Sequence, residues 1–348
     1  MKCKKIAAYF LAFVLCLSLL SGCGKQSEAG SGSSPVSSES SSVAADEYAN
    51  YPERDIELVL PVGASGDTAV NVQVLIPLVE EALGNDATFV VNAMPGAASS
   101  VGLLYARDQK ADGYSAAFTN TNHALIRAMG YADLTYEDFD VICSAYTECV
   151  DVFIRGDETR FNDIASLVEY GLAHPDELNI GTAAVGGCFY FGAFDFLKKT
   201  GIEATLIGND EGSAGLAISL LNGDVDVVIT SMGTLNTYVK SGEISMIASA
   251  SEQRLTNYPD VPTITECGYE VVLMSTRGIF VPKGTPQAIK DKLEAAFEIA
   301  VNSDTYKQFC LDNSAEAYFL NGEEYEEYLA EELELFTELV NDSGLVKK

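Results

Sequence analysis

Apolar and polar positions along the chain follow two alternating periods. Ile56 to Leu60 is a short apolar run that suits a buried strand, and Pro61 ends it. Val70, Val74, Leu75, Leu78, Val79 and Leu83 then recur at helical spacing, with Gly84 as a stop. Pro77 falls inside that segment, where it removes a hydrogen bond, so a kink or break is expected. Further strands are predicted over 87–91, 114–118, 141–145, 150–154, 178–180, 204–207, 225–230 and 244–248. Helices are predicted over 124–129, 164–173, 189–199, 213–221 and 232–239. Pro286 opens another helix to Val301, since Pro suits a first helical position. In the last predicted helix Asn321 is the N-cap and Glu324 completes a capping box. Tyr325, Tyr328, Leu329, Leu333, Phe336 and Leu339 form its buried stripe, and its glutamates read as a solvated face. Strands alternating with short helices predict an α/β fold, with mostly parallel sheets flanked by helices.

Two connections in this pattern carry candidate chemistry. The loop Gly63-Ala64-Ser65-Gly66 after the first strand has small side chains, which leave backbone N–H groups uncovered. The run Gly181-Thr182-Ala183-Ala184-Val185-Gly186-Gly187 repeats that strand, small loop and helix arrangement. The first N–H groups of a helix lack partners and its dipole adds positive charge, so such loops suit an anion. Neither has the Gly-Lys-Ser/Thr of a nucleotide loop or a Gly-x-Gly-x-x-Gly. Tight α/β turns with no ligand have the same look.

The N-terminus sets the compartment. Lys2, Lys4 and Lys5 precede an apolar run from Ile6 to Leu20, and Leu20-Ser21-Gly22-Cys23 follows. A basic start, an apolar core and small residues predict a secretory signal over 1–22. The Cys after Leu-Ser-Gly looks like a bacterial lipobox, which would place a lipid on Cys23. The run is short for a bilayer crossing, so membrane attachment by the lipid alone is expected. Residues 23–50, rich in Ser, Gly and Glu, have little to bury and should be a disordered leash. A net charge of −30, from 21 basic and 51 acidic residues, argues against nucleic acid and anionic lipid surfaces.

Catalysis and metal binding find little support. Cys143, Cys149, Cys188, Cys267 and Cys310 show no Cys-x-x-Cys spacing and read mostly as small buried hydrophobes. A Cys143–Cys149 pair would need adjacent strands to bring them together. There are two histidines, His123 and His174, and no Gly-x-Ser-x-Gly. His174 before Pro175 reads as a helix C-terminal cap, and His123 after Thr121-Asn122 is a candidate cleft residue. No enzyme, metal or cofactor is expected.

Several phrases, in order, resemble the substrate-binding proteins of tripartite tricarboxylate transporters, the Bug family. They are Leu58-Val59-Leu60-Pro61, Asn92-Ala93-Met94-Pro95-Gly96-Ala97, Asp112-Gly113-Tyr114 and Leu220-Leu221-Asn222-Gly223-Asp224-Val225-Asp226. The specific part is Pro259-Asp260-Val261-Pro262-Thr263 through Glu266-Cys267-Gly268, with Pro282-Lys283-Gly284-Thr285-Pro286 after it.

The resemblance implies a two-lobed, type II periplasmic binding fold of the Venus-flytrap kind. Lobe one would hold 51–153 and 275–348, and lobe two 154–274. The chain would cross near Asp151 to Arg155 and return near Met274 to Arg277. It implies an extracytoplasmic receptor that passes a small carboxylate or amino acid to a permease with a large multi-span and a small four-span subunit. Delivery to an ABC importer or a sensor is the alternative. The ligand loops would be Val62 to Thr68 and Thr182 to Cys188. Candidate contacts are Gly63, Ala64, Ser65, Gly66, Asp67, Thr68, Thr121, Asn122, Thr182, Ala183, Val185, Gly186, Gly187, Cys188, Asp210, Ser231 and Arg277. Arg277 reads either as a carboxylate clamp or as an ion-pair partner.

The departures from the family pattern are also informative. Met94 replaces an arginine, and Asp210-Glu211-Gly212 replaces Tyr-Lys-Gly. If Asp210 faces the cleft, a trianion is disfavoured and a zwitterion or monoanion fits better. If it faces solvent, that argument lapses.

Overall fold

The structure, a computed structural model, describes residues 48–64 and 67–345, and of Asp67 only the backbone. The expected signal, Cys23 and most of the leash lie outside the described residues, as do Ser65 and Gly66. In chain order the first elements are β1 (Ile56–Leu60), α1 (Asp67–Leu83), β2 (Phe89–Ala93), α2 (Ser100–Arg107), β3 (Ser115–Thr119), α3 (Asn122–Ala128) and β4 (Phe139–Cys149). The chain then runs through β5 (Asp151–Arg155), α4 (Ile164–Ala173), β6 (Leu178–Ala183), α5 (Cys188–Thr200), β7 (Ala204–Asn209), α6 (Gly212–Asn222), β8 (Val227–Thr230), α7 (Leu235–Ser241) and β9 (Ile244–Ser249). It ends with β10 (Met274–Pro282), α8 (Gln287–Val301), α9 (Asp304–Asp312), β11 (Glu316–Ala317) and α10 (Gly322–Ser343).

Two sheets result. One has the order β11-β4-β10-β3-β1-β2, the other β7-β6-β8-β5-β9. β2, β1 and β3 run parallel, as do β7, β6 and β8. Antiparallel pairing enters with the strands that carry the chain between sheets. β4 and β10 pair antiparallel in the first, and β5 lies antiparallel between β8 and β9 in the second. Val150 alone separates β4 from β5, so the chain changes sheets across one residue.

Each sheet is buried on both faces, as parallel strands with crossover helices require. On the first, Leu75, Val79, Leu293 and Phe297 from α1 and α8 cover one side, and Leu103, Ile126 and Tyr325 cover the other. On the second, Leu167 and Phe196 cover one side, and Leu216, Leu220 and Leu235 the other. α10 belongs to both lobes. Its Tyr325 and Leu329 sit in the first lobe's core, while Phe336, Leu339 and Val340 join the core beneath α4 and α5.

Several expectations change against these elements. α1 runs unbroken through Pro77. Pro77 and Gln73, whose carbonyl loses its partner, both face solvent, so water satisfies the freed group. Cys143 and Cys149 are both free and buried, and they sit on the single strand β4. Six residues of extended chain hold them about 20 Å apart, beyond disulfide reach. The glutamates of α10 are not uniformly solvated. Glu332 is buried and receives the Thr121 hydroxyl at 3.0 Å, with His123 Nε2 at 3.1 Å. β10 and α9 are elements that hydrophobic spacing did not announce.

Candidate functional site

The first candidate loop leaves β1 at Pro61, which is buried, and Gly63 and Ala64 are exposed. Thr68 and Asn71, in the first turns of α1, are buried. Asn71 accepts a hydrogen bond from the Tyr306 hydroxyl through Oδ1, which ties α1 to α9. Gly102 lets α2 close onto this loop, because a Cβ there would sit 2.9 Å from Pro61 Cα and from the Met94 carbonyl oxygen.

The second loop, between β6 and α5, lies against the other lobe. Gly186 has φ +84°, and a Cβ on it would stand 3.2 Å from Met129 Cε, just after α3. Gly187 is the N-cap of α5, and Thr182 donates its hydroxyl to the Phe189 carbonyl at 3.1 Å. Ala183 is half-buried and Val185 exposed. Cys188 is buried, and its Sγ donates to Ser275 Oγ on β10 at 3.5 Å. Burial pushes the Cys188 thiol up to about 11, so it stays protonated at neutral pH.

The remaining candidates scatter. Thr121 is buried with its hydroxyl committed to Glu332, and Asn122 is half-buried at the start of α3. His123 is packed between α3 and α10, against Phe280, and is not a cleft residue. His174 caps α4 and stacks on Tyr170 with ring centroids 4.3 Å apart. Asp210 and Glu211 are exposed, and Ser231 is half-buried after β8.

Arg277 lies in the crossover strands, 7% exposed, with Nη2 2.7 Å from Glu148 Oε2. Its guanidinium carbon stands 5.1 Å from the Tyr146 ring centre, and Nη1 donates to the Ser275 carbonyl. Burial, the largest single influence, lowers its pKa, but the Glu148 carboxylate together with Tyr146 and Cys188 raises it by more, so the group stays charged. Of its two sequence readings, ion pair is the one formed. Asp151, on the next strand, is 1% exposed and its Oδ1 has no hydrogen-bond partner. Burial pushes its carboxyl well above the ordinary range; the nearby Ser249 hydroxyl works against that, and Glu148 and Glu316 add to it.

A cavity of about 340 Å³ opens between the two sheets beside these strands. Its walls come from the first turns of α1 (Val70, Asn71), β4 (Tyr146, Glu148), the β8–α7 turn (Gly233, Thr234) with the first turn of α7 (Asn236, Thr237), and the end of α9 (Phe309, Asp312) with the residues just after it (Asn313, Ala315). None of the described sequence candidates is on this wall. Thr68 and Ser231 each precede wall residues by two positions. Sequence reading missed the cavity because its walls come from four segments far apart along the chain, none with a motif of its own. Among the described residues no cluster of His, Cys, Asp and Glu could hold a metal, and no helix is long and apolar enough to cross a membrane.

Comparison with known proteins agrees with this fold. Residues 76–345 match the profile described as "Tripartite tricarboxylate transporter family receptor". Protein BugT of Bordetella pertussis is 24% identical over 300 residues, covering 84% of this chain and 90% of BugT. Among solved structures, a TctC solute binding protein from Polaromonas superposes with a TM-score of 0.76 at 25% identity, over 84% of this chain and all but 1% of that one (99%). MatC from Rhodopseudomonas palustris, solved with bound malate, has a TM-score of 0.67 at 20% identity, over 83% of this chain and 100% of MatC.

Proposed function

Because the chain belongs to the tripartite tricarboxylate transporter receptor family, we propose that it captures a small carboxylate between its two lobes and delivers it to a tripartite permease. The observation that carries this reading is the family match over 76–345, which takes in strands of both sheets. As a member of a receptor family it is an extracytoplasmic binding protein and not an enzyme. MatC, a structural neighbour, holds malate, and that ligand class is the one we assign here.

The mechanism is capture by closure. The carboxylate accepts N–H bonds from the small loops at the starts of α1 and α5, where unpaired amides and helix dipoles favour an anion. Residues 63–68 and 182–188 are the proposed contacts. Closure must be selected by contacts that only the closed state makes, so both lobes have to touch the ligand. The closed form is then recognised by a permease of one large and one small membrane subunit. The Cys23 lipid holds the receptor at the outer face of the membrane.

Gly66→Leu tests the loop assignment. A bulky side chain there covers the amides, so carboxylate affinity should fall by at least about a hundredfold, the scale of several lost charge-assisted hydrogen bonds, with Tm of the free protein within a few degrees. Undiminished affinity removes this loop from the site.

A further inference from the structure

We infer that the loop after β9 and the start of β11 form a latch between the lobes, and that a proton on Asp151 holds it shut. The loop leads into the family phrase at Pro259, which is not among the proposed carboxylate contacts. Arg254 fixes its shape, with Nε 2.8 Å from Glu266 Oε2 and Nη1 donating to the Pro259 carbonyl at 3.0 Å. So held, the loop reaches across to the first lobe. The Thr256 N–H donates to Glu316 Oε1 at 3.2 Å, and the Asn257 amide donates to the Leu311 carbonyl at 2.7 Å. Beside these two bonds lies a cavity of about 20 Å³, walled by Met232, Leu255 and Tyr258 from one lobe and Leu311, Ala315 and Glu316 from the other. Thr256 and Asn257 are exposed, so water competes for both bonds and they can part without disturbing either core.

Asp151 sits where the latch meets the crossover strands. Its side chain is buried, and Oδ1 has no hydrogen-bond partner among the described residues. Both sides of the latch lie within electrostatic reach of it, Tyr258 from the loop and Glu316 from β11. β4 brings Glu148 and the buried Cys149 thiol, and β9 brings the Ser249 hydroxyl. None of these groups is a cation, and Arg277 on β10 is committed to Glu148. An ionised Asp151 therefore meets Glu148 and Glu316 with no counter-charge against it. The repulsion falls on Glu316, which is half-buried and held across the lobes by the Thr256 N–H. The protonated acid lifts that repulsion. Because the folded carboxyl is raised, the latch holds below its folded pKa and is released as pH rises through it.

Amide exchange of the full chain in detergent, without ligand, tests this between about pH 5 and pH 9, with rates corrected for the intrinsic pH dependence of exchange. In the unmodified protein, protection over 252–258 should fall by at least about tenfold as pH rises, the shift in an opening equilibrium that one pKa unit supplies. Protection of β3, in the first lobe's core, should stay level. Asp151→Asn should keep 252–258 protected across the range. Glu316→Gln keeps an oxygen for Thr256 and removes a like charge, so the fall should move to lower pH. A level profile in the unmodified protein overturns the switch, as does a fall that survives in Asp151→Asn or stays in place in Glu316→Gln. A fall shared by β3 marks global unfolding and overturns the latch. No ligand enters the measurement, so each of these failures leaves the carboxylate reading standing.

Discussion

At the scale of single residues, the crossover concentrates the molecule's electrostatic tension. Arg277 and Glu148 are both largely buried, and their pairing offsets a desolvation cost that neither could bear alone. Asp151 has no such partner. Its folded carboxyl titrates well above the ordinary 3.8, because burial penalises the charged form. The native state therefore favours the protonated acid. That preference is fully present below the unfolded value and is lost as pH rises through the folded one. Asp151→Asn removes the titration. It should raise stability at pH 7 by about 1–2 kcal/mol, the usual cost of a buried polar group short of partners, and leave it nearly unchanged below about pH 4. Urea unfolding of both proteins across that range measures it. A gain that does not depend on pH would show that Asp151 is already ionised in the fold.

At the scale of elements, α10 is the piece whose role the strand order hides. Its N-terminal half packs on the first sheet's helices and its C-terminal half on the second's, with Glu332, Thr121 and His123 meeting at the midpoint. A helix that buries one stripe against both lobes constrains how they move. Phe336→Ala should cost about 3–5 kcal/mol, as large buried aromatics do. Amide exchange should then rise in α5, whose Phe191 stacks edge-on against Phe336. Exchange confined to α10 would mean the helix is only appended to the second lobe. The stripe itself was legible, since Tyr325, Leu329 and Phe336 fall at helical spacing. What spacing could not show is that the stripe crosses from one core to another. β10 was illegible for a related reason. Its first half, Met274-Ser275-Thr276-Arg277, is polar because it runs through the crossover, so no apolar alternation marks it. α9 buries only Tyr306 and Cys310 and leaves too thin a stripe. The two small loops were legible from Gly and Ala content, but the cavity was not, since four distant segments make it.

At the scale of the whole molecule, the two sheets, the single-residue crossing at Val150 and the family membership describe a solute-binding receptor. The charge of −30 keeps such a body soluble while leaving the ligand's charge to local geometry. Capture requires only that the ligand bind the folded, closed state better than any other. A thermal-shift panel of small carboxylates, amino acids, polyamines and nucleosides tests that claim most directly, because a ligand that binds only the native state raises the midpoint by mass action. A carboxylate-bearing compound, with or without an amine, should raise the midpoint by several degrees and saturate. A panel in which only polyamines or nucleosides raise it would contradict the account.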